Sequence, residues 1–74
     1  MHTVQTRRNN TDRRLAEEIR RTREGRGETQ EDVARRAGLT VAAYARIERG
    51  TSNPRWTTVL SIAEALDVNL SLAT

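Results

Sequence analysis

Arginine is the residue type in this 74-residue sequence whose chemistry and placement say most about a binding partner. All 13 residues counted as Lys or Arg are Arg, and the formal net charge is +3. Residues 1–26 carry eight Arg against four acidic residues, whereas residues 27–74 carry five Arg against six. Because positive charge concentrated at one end attracts polyanions, the N-terminal segment predicts a polyanionic partner. The alternative at this point is a solvated tail that only keeps the protein soluble.

Residue types suited to catalysis or metal binding are scarce. The sequence has no Cys, which excludes disulfides and thiolate metal sites, and the single His, His2, follows the initiating Met. It has no Gly-rich phosphate loop and no carboxylate pair set apart from helix caps and surface ion pairs. We therefore expect a protein that is not an enzyme and has no cofactor or metal. No apolar run approaches the roughly 20 residues of a membrane span, and no secretory signal is recognisable, so we expect a cytoplasmic protein.

Helical periodicity begins at Asp12. Residues 1–11 are polar and aperiodic, and we expect them to form a flexible basic arm. A thin apolar stripe that includes Ile19 follows, with charged residues on the other faces. Gly25 and Gly27 end this first predicted helix.

Two short predicted helices separated by a tight turn come next. Thr29 and Thr40 are the expected N-caps, Gly38 and Gly50 are the expected C-terminal stops, and Leu39 is expected to be buried in the turn. The inward face of the second short helix carries Tyr44 and Ile47, and its outward face carries Val41, Ala42, Ala45, Arg46 and Arg49. Two short helices joined by a turn with glycine are the physical requirement of a helix-turn-helix.

A fourth, more apolar helix is predicted after the sequence TSNP. Asn53 and Pro54 have the residue types favoured at the N-cap and at the first helical position. Trp56 begins the apolar periodicity, and we expect it to anchor the core rather than to stack on bases. The predicted helix ends near Asp67.

The segment TQEDVARRAGLTVAAYARIERGTSNP, followed by VLSIAEALDV, resembles the Cro/C1-type (XRE) helix-turn-helix family of phage and plasmid repressors over roughly residues 13–68. The resemblance rests on TQ, A-x-x-A-G-L-T, I-E-R-G, N-P and I-A-x-A-L in this order. It implies an all-α, compact, lambda-repressor-like domain of four or five helices. We place this domain at residues 12–67 and expect it to bind double-stranded DNA, at a palindromic operator, as a homodimer.

The resemblance also implies residue roles. Gln30, at the start of the second helix, matches a residue that binds a phosphate beside a helix N-terminus. Arg23 and Glu48 match a partly buried structural ion pair. The positions that match base-facing residues are Thr40, Val41, Ala42, Ala45 and Arg46. The positions expected near further phosphates are Arg49, Thr51, Ser52, Asn53 and Arg55. The arm residues expected to contact DNA are Arg7, Arg8 and Arg13.

Three departures from the family's usual pattern bear on this interpretation. Glu28 and Thr22 stand at positions that are usually apolar, and both thin the predicted core. The recognition helix opens with Val41, Ala42 and Ala43, which cannot form bidentate hydrogen bonds with bases but can contact a thymine methyl group. Arg46 then remains the strongest base-edge donor. We therefore expect few direct base contacts and some specificity from DNA shape or from the arm in the minor groove.

Residues 68–74 change to a two-residue periodicity in which Val68, Leu70 and Leu72 alternate with other residues. This pattern indicates a short C-terminal strand. Because the sequence contains no second strand, we expect the same tail of a second copy to pair with it about a two-fold axis. A fifth helical turn, which the family often has here, is the alternative.

The predicted function is a small transcriptional repressor, nucleoid-associated through its DNA. No sensor domain follows the fourth helix in the sequence, so we expect regulation by concentration or by a partner. An autoregulatory antitoxin of a type II toxin–antitoxin operon, with a cognate toxin as partner, is the leading hypothesis, and a phage, plasmid or mobile-element regulator is the alternative. A protein-interaction module without DNA binding is the hypothesis from a different class.

Overall fold

The computed structural model describes the backbone of residues 2–68 and the side chains of residues 13–68. Over this part of the chain it contains four helices and no strand, so the predicted all-α class is confirmed. The helices are α1 (His2–Gly25), α2 (Gln30–Ala37), α3 (Val41–Arg49) and α4 (Trp56–Ala65).

The ends of α2 and α3 are determined by their local sequences. The Thr29 hydroxyl accepts the Asp32 backbone N–H at 3.1 Å while the Asp32 carboxylate accepts the Thr29 N–H at 3.3 Å. Thr40 caps α3 in the same way, with a single hydrogen bond from a backbone N–H at 3.1 Å. The two helices end at residues in the left-handed conformation that favours glycine, Gly38 (φ 74°) and Gly50 (φ 72°). These four predicted helix ends are confirmed.

The core lies between the inner faces of the helices. α2 packs against α3 and α4, and α1 packs against α3. Leu39, which the sequence predicted to be buried in the turn, is only partly buried but packs against this core. The eight residues of the buried cluster are Ile19, Val33, Ala34, Tyr44, Ile47, Ile62, Ala65 and Leu66. Because α1 and α2 hold α3 from one side, its opposite face is left open along the length of the helix.

The first helix begins earlier than predicted. Periodicity placed its start at Asp12, but α1 begins at His2. Residues 2–11 contain neither Gly nor Pro, so nothing in their sequence stops a helix. Because residues 2–11 have no apolar stripe, this segment of α1 has no apolar face to pack against another helix. The predicted mobility of residues 1–11 remains a prediction.

The start of α4 and the environment of Trp56 were predicted wrongly. Arg55, and not Asn53, is the N-cap residue, and it makes no side-chain capping hydrogen bond. Trp56 is 48% exposed and Leu60 is 38% exposed, so neither anchors the core. The buried face of α4 is centred on Ile62. The neighbouring helices cover only part of the apolar surface of α4.

The chain leaves α4 through a backbone cap. The N–H of Val68 donates to the carbonyl of Ala63 at 2.8 Å, and Asp67 between them has a positive φ of 59°. The expected strand therefore gains no support from Val68, whose backbone N–H closes the helix. The rest of the predicted strand, with Leu70 and Leu72, lies outside the described residues.

Candidate nucleic-acid interface

The outward face of α3 is open in the structure. Val41, Ala42, Arg46 and Arg49 are exposed, Ala45 is half-buried, and the N-cap Thr40 is exposed as well. On the opposite side of the helix, Tyr44, Ile47 and Glu48 are buried. The structure thus brings together on one surface all the residues that the sequence predicted to face bases.

The predicted ion pair between α1 and α3 is present in the structure. Arg23 Nε donates to Glu48 Oε2 at 2.7 Å, and Arg23 Nη2 donates to Glu48 Oε1 at 3.1 Å. Arg23 also donates to the backbone carbonyl of Glu28 at 2.8 Å. One guanidinium therefore fixes the end of α3 to α1 and to the turn that precedes α2.

Gln30 completes this network and does not point into solvent. Its side-chain amide donates to Glu48 Oε1 at 3.0 Å. Burial alone would raise the pKa of Glu48, but the hydrogen bonds from Arg23 and Gln30 outweigh burial and lower it. Burial raises the pKa of Tyr44, and the adjacent Glu48 carboxylate raises it further. Glu48 is therefore charged and neutralised within the fold, so it does not repel an anion outside.

A cleft of about 590 Å³ lies beside this network, between α1, the start of α2 and the end of α3. We call it the α1–α3 cleft. Its exposed arginines are Arg13, Arg20 and Arg49, and none of them forms an ion pair with another side chain of residues 13–68. Glu17 is the one unpaired acidic residue in its wall. The other lining residues are Ala16, Arg23, Gln30, Glu48 and Thr51.

Arg20 is the cleft residue that sequence reasoning missed. It lies on α1 in a run of charged residues, but it comes seven residues after Arg13 and three before Arg23, so helical spacing places it on their face of the helix. The packing of α1 against α3 puts this face, and not Arg14 or Arg21, in the wall of the α1–α3 cleft.

A second cleft of about 380 Å³, which we call the loop cleft, lies on the other side of α3. Arg46 and Arg55 line it. The hydroxyl of Thr51, which lines the α1–α3 cleft, donates to the backbone carbonyl of Arg46 at 3.3 Å. The Ser52 hydroxyl is buried without a hydrogen-bond partner among the described residues. The remaining lining residues are Leu39, Ala43, Ile47, Ser52, Asn53, Pro54 and Thr58.

The other predicted site residues are only partly placed. Arg13 lies at the edge of the α1–α3 cleft, whereas the side chains of Arg7 and Arg8 lie outside the described ones. Val68 is exposed at the end of α4. Within the described residues, no three His, Asp or Glu side chains are grouped to hold a metal ion, and no helix has the length and apolar character needed to cross a membrane.

Comparisons of the sequence with known proteins find helix-turn-helix proteins. A curated relative, the uncharacterized HTH-type transcriptional regulator y4dL of Sinorhizobium fredii (strain NBRC 101917 / NGR234), is 34% identical over 59 residues. The aligned part covers 80% of this chain but only 30% of that regulator, so this chain spans less than a third of its length. No solved structure matches the chain. Residues 14–73, well over half of the sequence, match the family described as helix-turn-helix domain, and the chain therefore belongs to this family.

Proposed function

We propose that this chain is a DNA-binding transcriptional repressor that places the outward face of α3 in the major groove. The observation that carries the proposal is the pair of arginine-lined clefts on the two sides of that face. A groove-bound helix has a phosphate backbone on each side, so cations at both sides are what the docking requires. Membership of the helix-turn-helix family and the name of the regulator in Sinorhizobium fredii support the same function.

In this proposal the α1–α3 cleft receives one phosphate backbone. Arg20 and Arg49 supply unpaired guanidiniums, and the N-terminus of α2 supplies backbone N–H groups. Gln30 keeps its hydrogen bond to Glu48, and its second amide hydrogen remains available to a phosphate oxygen. Glu17 opposes the anion, but the cationic groups outnumber it.

The loop cleft receives the other backbone. Arg55 and Asn53 are exposed at its rim, and Thr51 follows the end of α3. Phosphate contacts at both sides determine where α3 lies along the groove but carry no sequence information. Arg7 and Arg8 add charge at the N-terminal end, and we propose that they reach the adjacent minor groove.

We also propose that the chain binds its operator as a homodimer, because a two-fold pair of recognition helices doubles the contacts and matches palindromic half-sites. The proposed dimer contact is the tail with Val68, Leu70 and Leu72. An autoregulatory antitoxin and a phage, plasmid or mobile-element regulator both fit such a dimer. A toxin gene that is co-transcribed with this chain would support the first of these, and its absence would support the second.

The salt dependence of DNA binding tests the proposal against a protein-interaction module. The purified chain is titrated into a labelled duplex of about three helical turns, and the dissociation constant is measured from about 50 to 200 mM salt. Four exposed cleft arginines are candidates for phosphate contacts: Arg13, Arg20, Arg49 and Arg55. If at least three of them neutralise phosphates, the logarithm of the binding constant falls against the logarithm of the salt concentration with a slope of about −3 or steeper. A slope near zero, or no binding to any duplex, would overturn the proposal.

Arg20→Gln and Arg21→Gln form a matched pair for this experiment. Both residues are exposed arginines on α1, but only Arg20 lines the α1–α3 cleft. We expect Arg20→Gln to make the slope shallower by about 1 for each bound copy of the chain, and Arg21→Gln to change it by much less. Equal effects of the two substitutions would show that the cleft does not hold a phosphate.

A further inference from the structure

The outward face of α3 offers hydrogen-bond donors and methyl groups but no free acceptor. Its apolar members are Val41, Ala42 and Ala45, and Val41 is 41% exposed. Its polar members are Arg46 and Arg49, which carry donors only. Neither arginine is paired with a carboxylate among the side chains of residues 13–68, so both remain free to extend.

Each acceptor that residues 40–49 contain is already engaged or buried. The Thr40 hydroxyl oxygen accepts the Ala43 N–H at 3.1 Å as the cap of α3, which uses one of its two lone pairs and holds the hydroxyl against the helix end. Glu48 is 5% exposed, and its carboxylate accepts from Arg23 and Gln30. Tyr44 is fully buried.

The bases differ in whether they require an acceptor from the protein. In the major groove adenine presents an N6 amino group and cytosine an N4 amino group, and both are donors. Guanine presents the acceptors N7 and O6, and thymine presents the acceptor O4 beside a methyl group. An amino group pressed against the outward face of α3 would lose its water without gaining a partner, which costs binding free energy.

We propose, on the basis of the proposed function, that α3 selects keto bases on the strand it contacts, with Arg46 on a guanine and Val41, Ala42 and Ala45 on neighbouring thymine methyl groups. Ala42 and Arg46 are one helical turn apart, so a base that touches Ala42 is next to one that Arg46 reaches. The guanidinium of Arg46 matches guanine N7 and O6 with two parallel donors. The thymine methyl fills the space that the short side chains leave open.

Asn53 is an exposed residue with a side-chain acceptor that lines the loop cleft together with Arg46. It lies in the loop after α3, where we place a phosphate backbone. Asn53→Ala is therefore expected to weaken binding to all sequences and to leave the base preference as it is. A change of preference in this variant would move the base contact to the loop.

The experiment begins with selection of binding sites by the full chain from a duplex pool with a randomised central segment. We expect the enriched half-sites to carry guanine and thymine at the contacted positions of one strand. In the enriched duplex, uracil in place of thymine removes only the methyl group, and we expect about fourfold weaker binding. In place of guanine, 7-deazaguanine removes only the N7 acceptor, and we expect about tenfold weaker binding.

Arg46→Gln and Arg49→Gln distinguish base contact from phosphate contact. A Gln side chain matches adenine N6 and N7, so Arg46→Gln is expected to shift the selected base from guanine toward adenine. Arg49→Gln should weaken binding to every sequence without such a shift. Half-sites with adenine or cytosine at the positions protected by the wild-type chain, or no effect of the uracil and 7-deazaguanine replacements, would overturn the inference while DNA binding remained. Failure to bind any member of the pool would instead overturn the proposed function.

Discussion

Glu48 is the only charged residue that is buried among the described side chains. Burial alone would raise its pKa, but hydrogen bonds from its partners on α1 and α2 lower the pKa below the ordinary value of a glutamate. Folding therefore favours the charged form. The contribution of Glu48 to stability is complete above its unfolded pKa of about 4.3, and it is lost as the pH falls through the lower pKa of the folded state.

Glu48→Gln should destabilise the chain at neutral pH by about 3 kcal/mol, because it removes the buried carboxylate that pairs with Arg23 and leaves only the exposed Glu24 at 3.8 Å. The hydrogen bond from Arg23 to the carbonyl of Glu28 at 2.8 Å limits the loss. The free energy of unfolding, measured with urea from neutral pH to about pH 3, should fall less steeply with acidification in the variant than in the wild type. Parallel pH profiles would show that the Glu48 carboxylate is not stabilised by folding.

At this scale the resemblance was enough to predict that Arg23 and Glu48 pair. It was not enough to predict that Gln30 joins them or that Arg20 lines the same cleft. Both depend on how closely α1 crosses α3, and nothing in the spacing of residues along either helix determines that distance. A phosphate role for Gln30 stays a proposal, since its amide already donates to Glu48.

Glu28 takes part in a contact that joins α2 to the last turn of α4. Arg36 of α2 pairs with the Glu28 carboxylate and donates from Nη2 to the backbone carbonyl of Ala65 at 2.6 Å. Hydrogen bonding to Arg36 lowers the pKa of Glu28. The sequence suggested that a charged residue here thins the core, but the structure places an ion pair between the α1–α2 turn and the last turn of α4. The carbonyl of Ala65 thus gains a donor that the helix itself cannot supply.

Arg36→Met should lower the free energy of unfolding by about 1–2 kcal/mol, because a carbonyl at the end of α4 loses a charged donor. Arg35→Met is the matched control, since Arg35 adjoins Arg36 but is 75% exposed and pairs only with Asp32 at the surface. Its effect should be clearly smaller. Urea unfolding of the two variants decides the matter, and equal losses would show that the contact with α4 is energetically unimportant.

The elements differ in how far their sequences predict them. Thr29, Gly38, Thr40 and Gly50 were identified because a cap is a local hydrogen bond or a local backbone conformation. The start of α4 was misplaced because its first turn has no side-chain cap, so no local signal distinguishes Pro54 from Trp56. The exposure of Trp56 could not be predicted, since it depends on how much of α4 the neighbouring helices cover.

At the scale of the whole molecule, the described helices leave an apolar groove of about 250 Å³ between α1 and α4. Thr22, at the position where the family usually has an apolar residue, lines it, and so does Val68, the last described residue. The last six residues of the sequence follow Val68 and include Leu70 and Leu72. The proposed tail contact in the dimer would bring these two leucines of each copy close to the groove.

Truncation after Val68 tests the tail without damage to α4, because the N–H that caps the helix remains. We expect the truncated chain to sediment as a monomer at concentrations where the full chain is a dimer, and to bind a palindromic duplex more weakly. A truncated chain that stays dimeric with full affinity would refute the tail contact. An unchanged dimer with a lower melting temperature would show that the tail covers the groove of its own chain.

The central claim is that DNA lies on the outward face of α3 and on both flanking clefts. An amide chemical-shift titration of the labelled chain with a duplex tests this claim most directly. The largest changes are expected on Ala42, Arg46 and Arg49, on Gln30 at the start of α2, and on the loop of residues 51–55. The amides of Leu60 and Glu64 on the exposed side of α4 should barely move at protein concentrations where the oligomeric state is constant. Changes confined to that side of α4, with α3 unaffected, would contradict the account.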